Sequence, residues 1–418
     1  MTCTGAPPGP GEAKISGYTA FRHRDFRLHC AARLLFGVAL SMQSVAIGWY
    51  VYSVTNSALA LGFSGLASFL PSLLLTPFTG HVADTHSRKR IVGLSFLVCA
   101  AASLGLFCIA YLHLRDVLPI YACIVVAGSA KAFANPAAQA LTPNLVPKDQ
   151  FANAITWYSS AWSAANISGP AIGGFLYVLG PTTAFAAAIL AFASAATSSL
   201  LIRHAPRTGL VRERISWATI SAGLRFIYSR QVIFGAISLD LVAVLFGGAT
   251  ALLPIIAKHA LHTGPWGLGL LRASPAIGAI VMGAGLAHAP ITFGAGKKML
   301  GAVGVYGAAI AAFAFSSSLA LSMALLALAG AADQVSVVVR HTMVQTETPD
   351  DMRGRVAAVN SIFIGASSDL GEFESGATAA LLGAIPAIAF GGAMTIVLAL
   401  AWSVLFPRLR KRDRLIER

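Results

Sequence analysis

The sequence predicts an all-α integral membrane protein, with twelve transmembrane helices arranged in two pseudo-symmetric six-helix halves. Three observations carry this expectation. Of the 418 residues, 56% are hydrophobic and only 11% are charged, against about 25% charged in soluble domains. Twelve apolar runs are each long enough to supply the ~20 residues that one bilayer crossing needs. Sliding the chain by 202 residues also brings turn-forming and close-packing residue types into register. The composition excludes a soluble enzyme, a disordered chain and a secreted disulfide scaffold.

Residues 1–20 are rich in Pro and Gly and lack an apolar h-region, so they read as a disordered tail and not as a signal peptide. The N-terminal half, 21–202, holds runs at 29–53, 58–80, 91–113, 118–140, 152–178 and 183–202. A basic linker, 203–231, separates it from the C-terminal half, 232–406, whose runs fall at 232–256, 267–288, 298–317, 320–340, 357–380 and 386–406. Residues 407–418 form a basic tail. With the N-terminus inside, 25 of the 30 Lys and Arg residues lie in inner segments, and only Arg115 and Lys258 lie in outer ones. Lys and Arg concentrate in cytoplasmic loops, so both termini are expected in the cytoplasm of a multi-pass inner-membrane protein. That distribution also accounts for the net charge of +14 without a nucleic-acid partner. The expected partners are the bilayer, a small-molecule substrate and protons.

The 202-residue slide matches Gly128 to Gly330, Ala130 to Ala332, Pro147 to Pro349, Asp149 to Asp351, Gly169 to Gly371 and Gly174 to Gly376. Two parallel six-helix repeats are the layout of one large class of transporters. One chain therefore contains both halves of a central site, and a monomer suffices.

Between runs 2 and 3 stand Gly80, Asp84, Arg88, Lys89 and Arg90. Gly80 permits close helix approach, and Asp84 lies four residues before Arg88, where the two can pair on one helical turn. A basic inner loop needs no acid, so Asp84 at the end of an apolar run calls for a role of its own. Run 5 carries Gly169-Pro170-Ala-Ile-Gly173-Gly174. Proline removes a backbone donor and bends the helix, and the glycines let a neighbour pack closely.

The first cluster resembles the GxxxDxxxR[KR] signature of the major facilitator superfamily, with Thr85 and Ser87 departing from its fuller pattern. The second resembles the GPxxGG core associated with proton-exchanging exporters of that superfamily, with Ala165 where the longer motif has glycine. Phe21–Phe26, Phe133–Ala137, Leu145–Pro147, Leu239–Leu241 and Arg353–Arg355 are similar to the enterobactin-exporter-like multidrug and metabolite permeases. The likeness covers most of residues 20–406. It implies two halves that rock around a cavity lined mainly by runs 1, 4, 7 and 10. It also implies that Asp84 meets the positive end of another helix and holds the cytoplasmic side shut. The second-half loop, Gly285 to Lys298, has no matching acid, so this latch is one-sided.

Charge inside the membrane is costly unless it faces water or a partner. The charges here are Lys131, Asp240, Arg272, Asp333, Asp369, Glu372 and Glu374, with Arg33 and Arg340 nearer the inner ends. Lys131 and Asp333 superpose under the slide. An opposite-sign pair on facing walls could open and close between states, or could be a permanent pair that only sets packing. Asp369 and Glu372 share a helical face, while Glu374 lies roughly 200° round from Glu372 and is expected to pack against a neighbouring helix. Burial favours the protonated form of a carboxyl. The proton-coupling candidates are therefore Asp240, Glu372, Asp369 and Asp333, and the substrate-cavity candidates are Gln43, Lys131, Asp240 and Asp333. Snorkelling toward the interface best suits Arg272, Arg33 and Arg340.

Other chemistry finds no support. The five cysteines, Cys3, Cys30, Cys99, Cys108 and Cys123, form no CxxC and suggest neither a disulfide set nor a metal site. Gly294 to Lys298 lacks the spacing and the Ser/Thr of a phosphate-binding loop. No catalytic residue and no cofactor is expected. The expected function is proton-coupled antiport that exports a small amphipathic molecule such as a drug, siderophore or metabolite. The alternatives are a facilitator or importer on the same fold, or a non-transporting membrane sensor. Orientation can be checked with reporters: a green fluorescent protein fused after Arg418 should fluoresce, and alkaline phosphatase inserted at Arg115 should be active. The opposite pattern would invert the topology.

Overall fold

The computed structural model describes residues 18–203 and 217–413. Lys14, Arg207, Arg212, Arg214, Arg414 and Arg418 of the inner basic set lie outside them. Six helices make up the first half: α1 Arg24–Thr55, α2 Ala58–Thr85, α3 Arg88–Tyr111, α4 Leu118–Leu141, α5 Phe151–Val178 and α6 Pro181–Leu200. The second half is built from α7 Gln231–Gly247, α8 Pro265–His288, α9 Ala295–Ala314, α10 Leu319–Glu347, α11 Asp350–Leu382 and α12 Ala384–Leu405. Ten of the twelve crossings are long and apolar enough to span by composition alone. The exceptions are α5, which carries Asn166 and several serines, and α11, which carries Asp369, Glu372 and Glu374. Large apolar side chains such as Leu190, Val281, Val397, Leu400 and Val404 face outward. This is the reverse of a soluble surface and suits a hydrocarbon solvent.

The seventh crossing is not one helix. After Gly247 the chain breaks, continues as short turns at Thr250–Leu252 and Leu253–Ile255, and ends in a wide π-type turn, Ile256–Ala260. Two adjacent glycines and the missing N–H of Pro254 make this cheap locally. In a membrane the carbonyls freed by a break must find other donors. The Tyr306 hydroxyl of α9 donates to the Gly247 carbonyl (2.9 Å), and the Ser375 hydroxyl of α11 donates to the Gly248 carbonyl (2.6 Å).

Packing repeats between the halves. In the first, α1 lies on α5 and α6, α3 on α4 and α6, and α2 on α4. In the second, α7 lies on α11 and α12, α9 on α10 and α12, and α8 on α10. The halves join at two crossings that are themselves related by the repeat, α5 with α8 and α2 with α11. The glycines matched by the 202-residue slide sit at these places. A Cβ on Gly169 would stand 2.6 Å from the Ser41 Cβ of α1, and one on Gly371 would stand 2.9 Å from the Val244 carbonyl of α7. At the joints, a Cβ on Gly174 would come within 2.9 Å of the Gly269 Cα, and one on Gly376 within 2.7 Å of the Gly62 Cα. Pro147 (φ −60°, ψ 155°) and Pro349 (φ −56°, ψ 151°) adopt the same conformation ahead of α5 and α11.

One boundary expectation is corrected. Tyr18 to Ala20, placed in the unstructured tail, belong to the folded body. The Ala20 amide donates to Asn153 Oδ1 (3.2 Å), and the Tyr18 ring packs on Trp157. Ala20 is fully buried, which anchors the segment to the bundle. The linker contains a helix, Trp217–Ser229, whose Leu224 and Ile227 pack with Val356 and Val359 of α11, while Arg225 and Tyr228 face outward.

Both glycine joints can be tested directly. Gly174→Ala and Gly376→Ala should each destabilise the purified protein by about 1–3 kcal/mol through overpacking against backbone, measured by thermal unfolding. Gly301→Ala, whose Cβ would meet nothing within 4 Å, should leave the transition unchanged.

Candidate transport cavity and buried charge cluster

A cavity of about 640 Å³ lies between the halves. Its walls come from α1, α2, α4 and α5 on one side, and from α8, α11 and the Thr250–Ala251 turn after the α7 break on the other. The volume falls within the range of drug-sized sites. Gln43 of α1 is held in place by the Ser103 hydroxyl of α3, which donates to its Oε1 (2.7 Å). Lys131 projects from α4 and is electrostatically coupled to Asp369 and Glu372 of α11. Arg272 of α8 donates to the Ser44 hydroxyl of α1 and also faces Glu372. The wall therefore carries two cations and two carboxyls. Asp369 and Glu372 both reach it because three residues along a helix return to one face.

A second charge cluster lies within the C-terminal half. Asp240 of α7 and Arg340 of α10, 6% and 3% exposed, form a direct ion pair. Asp333, seven residues before Arg340 on the same face of α10, is partly buried and interacts electrostatically with both. Tyr306 of α9 neighbours the two acids and uses its hydroxyl on Gly247 at the α7 break. One guanidinium thus stands beside two carboxyls, and among the described residues no second Lys or Arg joins the cluster.

The positions expected from sequence are thus divided. Gln43 and Lys131 line the cavity, as do Asp369 and Glu372; Asp240 and Asp333 do not. Lys131 and Asp333 are not brought together, because α10 turns Asp333 toward α7 and α9 while the counter-charges of Lys131 come from α11. Walls of α2, α5, α8 and α11 replace α10 of the expected set. Glu374 points away from the cavity and accepts a hydrogen bond from Thr378 (2.8 Å). None of the three arginines snorkels: Arg340 is in its ion pair, Arg272 is in the cavity wall, and Arg33 lies 3.9 Å from the Trp162 ring centroid and 4.8 Å from that of Tyr158. Tyr158 in turn stacks on His29 (4.9 Å), which hydrogen-bonds Thr142 (3.0 Å). The α7 break was missed, although the Gly247-Gly248 pair and Pro254 signal it in the sequence.

In the inner-loop motif, Arg88 donates to the Ala140 carbonyl at the end of α4 (2.9 Å), and Lys89 donates to the Ile202 carbonyl just past α6 (2.8 Å). Cations are favoured at helix C-termini, so these two tie three helices together. Gly80 and Asp84 lie on α2, and their contacts fall outside those described.

Residues 15–416 match the family model described as transmembrane secretion effector. The chain is 26% identical over 397 residues to the multidrug efflux pump Tap of Mycolicibacterium fortuitum, covering 91% of this chain and 95% of that one. It is 29% identical over 172 residues to macrolide efflux protein A of Streptococcus pyogenes, covering 41% of this chain and 42% of that one. Among solved structures it resembles the nucleoside transporter NupG, with a TM-score of 0.70 and 16% identity over 92% of this chain and 99% of that one. It also resembles a bacterial homologue of the iron transporter ferroportin in an inward-facing state, with a TM-score of 0.70 and 15% identity over 93% and 99% of the two chains. At these identities the structural likeness concerns the fold.

Removing one member of a buried ion pair leaves an uncompensated charge. Arg340→Met should lower stability by about 3–5 kcal/mol, and Asp240→Asn added to it should restore part of the loss. Thermal unfolding of the two variants checks this; equal transitions would show that the pair is not coupled.

Proposed function

Because the chain belongs to the transmembrane secretion effector family of the major facilitator superfamily, we propose that it exports small amphipathic organic molecules in exchange for protons. It works as a single chain in the cytoplasmic membrane, with both termini in the cytoplasm. The observation that carries this reading is the separation of intramembrane charge into two sets. One set lines a drug-sized cavity between the halves, and the other is enclosed in the C-terminal half. The efflux names of the relatives agree with a cavity too large and too mixed in polarity for one small ion.

In this reading substrate occupies the space bounded by Gln43, Lys131, Arg272, Asp369 and Glu372. The proton occupies Asp333, whose charge the Asp240–Arg340 pair leaves unbalanced. With the proton on Asp333, the ion pair closes as a neutral unit. When the proton leaves, two carboxylates compete for one guanidinium, and any movement of Arg340 toward Asp333 loosens its hold on α7. Tyr306 links the cluster to the α7 break, and Thr250 beyond the break forms part of the cavity wall. A change of charge at Asp333 thus has a mechanical route to the substrate. Arg88 and Lys89 bind helix ends beside the inner loop, which supports Gly80, Asp84, Arg88, Lys89 and Arg90 as the cytoplasmic gate. Pro170 and Gly174 form the close contact of α5 with α8 on which the halves rock, while Gly169 and Gly173 seat α5 against α1 of its own half.

In proteoliposomes with an acid interior, wild-type protein should accumulate a fluorescent piperazinyl quinolone, and the accumulation should alkalinise the lumen. Asp333→Asn should lose gradient-driven accumulation while keeping quinolone exchange at equal pH. Accumulation by Asp333→Asn equal to that of the wild type, or wild-type accumulation that is insensitive to the direction of the gradient, would contradict proton coupling through this residue.

A further inference from the structure

The charges on the cavity wall are arranged by sign. The N-terminal half contributes Lys131, together with Trp162, whose ring is backed by the Arg33 guanidinium at 3.9 Å. A guanidinium on one face of an indole draws on the ring's negative quadrupole and makes the other face a poorer seat for a second cation. The C-terminal half contributes Asp369 and Glu372. Glu372 is offset by Arg272, which is itself tied to Ser44. Lys131 and Asp369 remain as opposite charges on opposite halves. Among the described residues they close no direct ion pair, and the cavity lies between them.

A ligand entering that gap weakens the attraction between the two charges. If it carries one charge, it satisfies one wall and leaves the charge on the other without a partner, which is unfavourable between closely packed helices. If it carries an amine at one end and an acid at the other, it re-pairs both. We propose that the cavity selects amphoteric amphiphiles, with the cationic end at Asp369 on α11 and the anionic end at Lys131 on α4, over lipophilic molecules bearing a single charge of either sign. Such a ligand bridges the two halves by charge at both ends, so its binding favours the arrangement in which the walls face each other. This inference rests on the cavity being the substrate site, as proposed above.

The test is equilibrium binding to the purified full chain in lipid nanodiscs, read by ligand fluorescence. Three probes share one skeleton: a piperazinyl quinolone carboxylic acid, its methyl ester (amine only) and its N-acetyl derivative (acid only). The parent compound should bind at least about tenfold more tightly than either derivative. Lys131→Gln should bring the parent down to the level of the ester, and Asp369→Asn should bring it down to the level of the N-acetyl compound. A wild-type protein that binds the parent no more tightly than the derivatives, or that binds none of the three, overturns the proposal. If a variant fails to fold, the wild-type comparison decides alone. Gradient-driven transport of the parent is measured separately. Selective binding without transport would leave this inference standing and remove the export reading, whereas transport without selective binding would do the reverse.

Discussion

Hydrocarbon solvates neither a charge nor an open backbone polar group, and the architecture follows from that constraint. It turns apolar side chains outward along the bundle and confines ionised groups to the space between helices. It also explains why the break in α7 is not loose. The carbonyls of Gly247 and Gly248 are met by hydroxyls from α9 and α11, so the discontinuity is held by two neighbours instead of by water. The same constraint places Asp240 against Arg340, with Asp333 beside the pair on α10.

The internal repeat gives this chemistry a frame that can move. Two bundles with the same internal contacts touch at two related crossings, each built on a pair of glycines that bring backbones into contact. Close backbone contact of this kind packs well and presents no side-chain ridges to interlock, so one half can turn on the other. The helices that make these joints on the cavity side, α5 and α11, are also the two least apolar crossings. Packing and chemistry therefore meet on the same elements: α11 touches α2 through Gly376 and carries Glu372 about one turn and Asp369 about two turns from that contact.

Much of this was legible in the sequence. Hydropathy located the crossings, including α5 and α11 despite their polar residues, and the glycine and proline identities at an offset of 202 marked places where two backbones pack or turn alike. The spacing of Asp369, Glu372 and Glu374 separated the two that share the cavity from the one that does not. What the sequence withheld was direction. In a helix that is apolar nearly all round, periodicity does not say which neighbour a lone charge will face. Asp333 and Arg340 could be placed on α10, but their turn toward α7 depends on how α10 packs against α8 and α9. The positive character of the α1–α5 seam was hidden for the same reason. Arg33 near a helix end reads as an interfacial residue until Tyr158 and Trp162, four residues apart on α5, are seen to flank it.

The central claim is that substrate and proton use separate sets of charges coupled through α7. Proton release on ligand binding tests it most directly, by adding a piperazinyl quinolone to purified protein in weakly buffered solution with a pH-indicating dye. The account predicts that wild-type protein releases protons as the quinolone binds. It further predicts that Asp333→Asn binds the quinolone without release, and that Asp369→Asn loses affinity but still releases protons at saturating quinolone. Release abolished by Asp369→Asn and untouched by Asp333→Asn would place proton and substrate on the same carboxyl and contradict it.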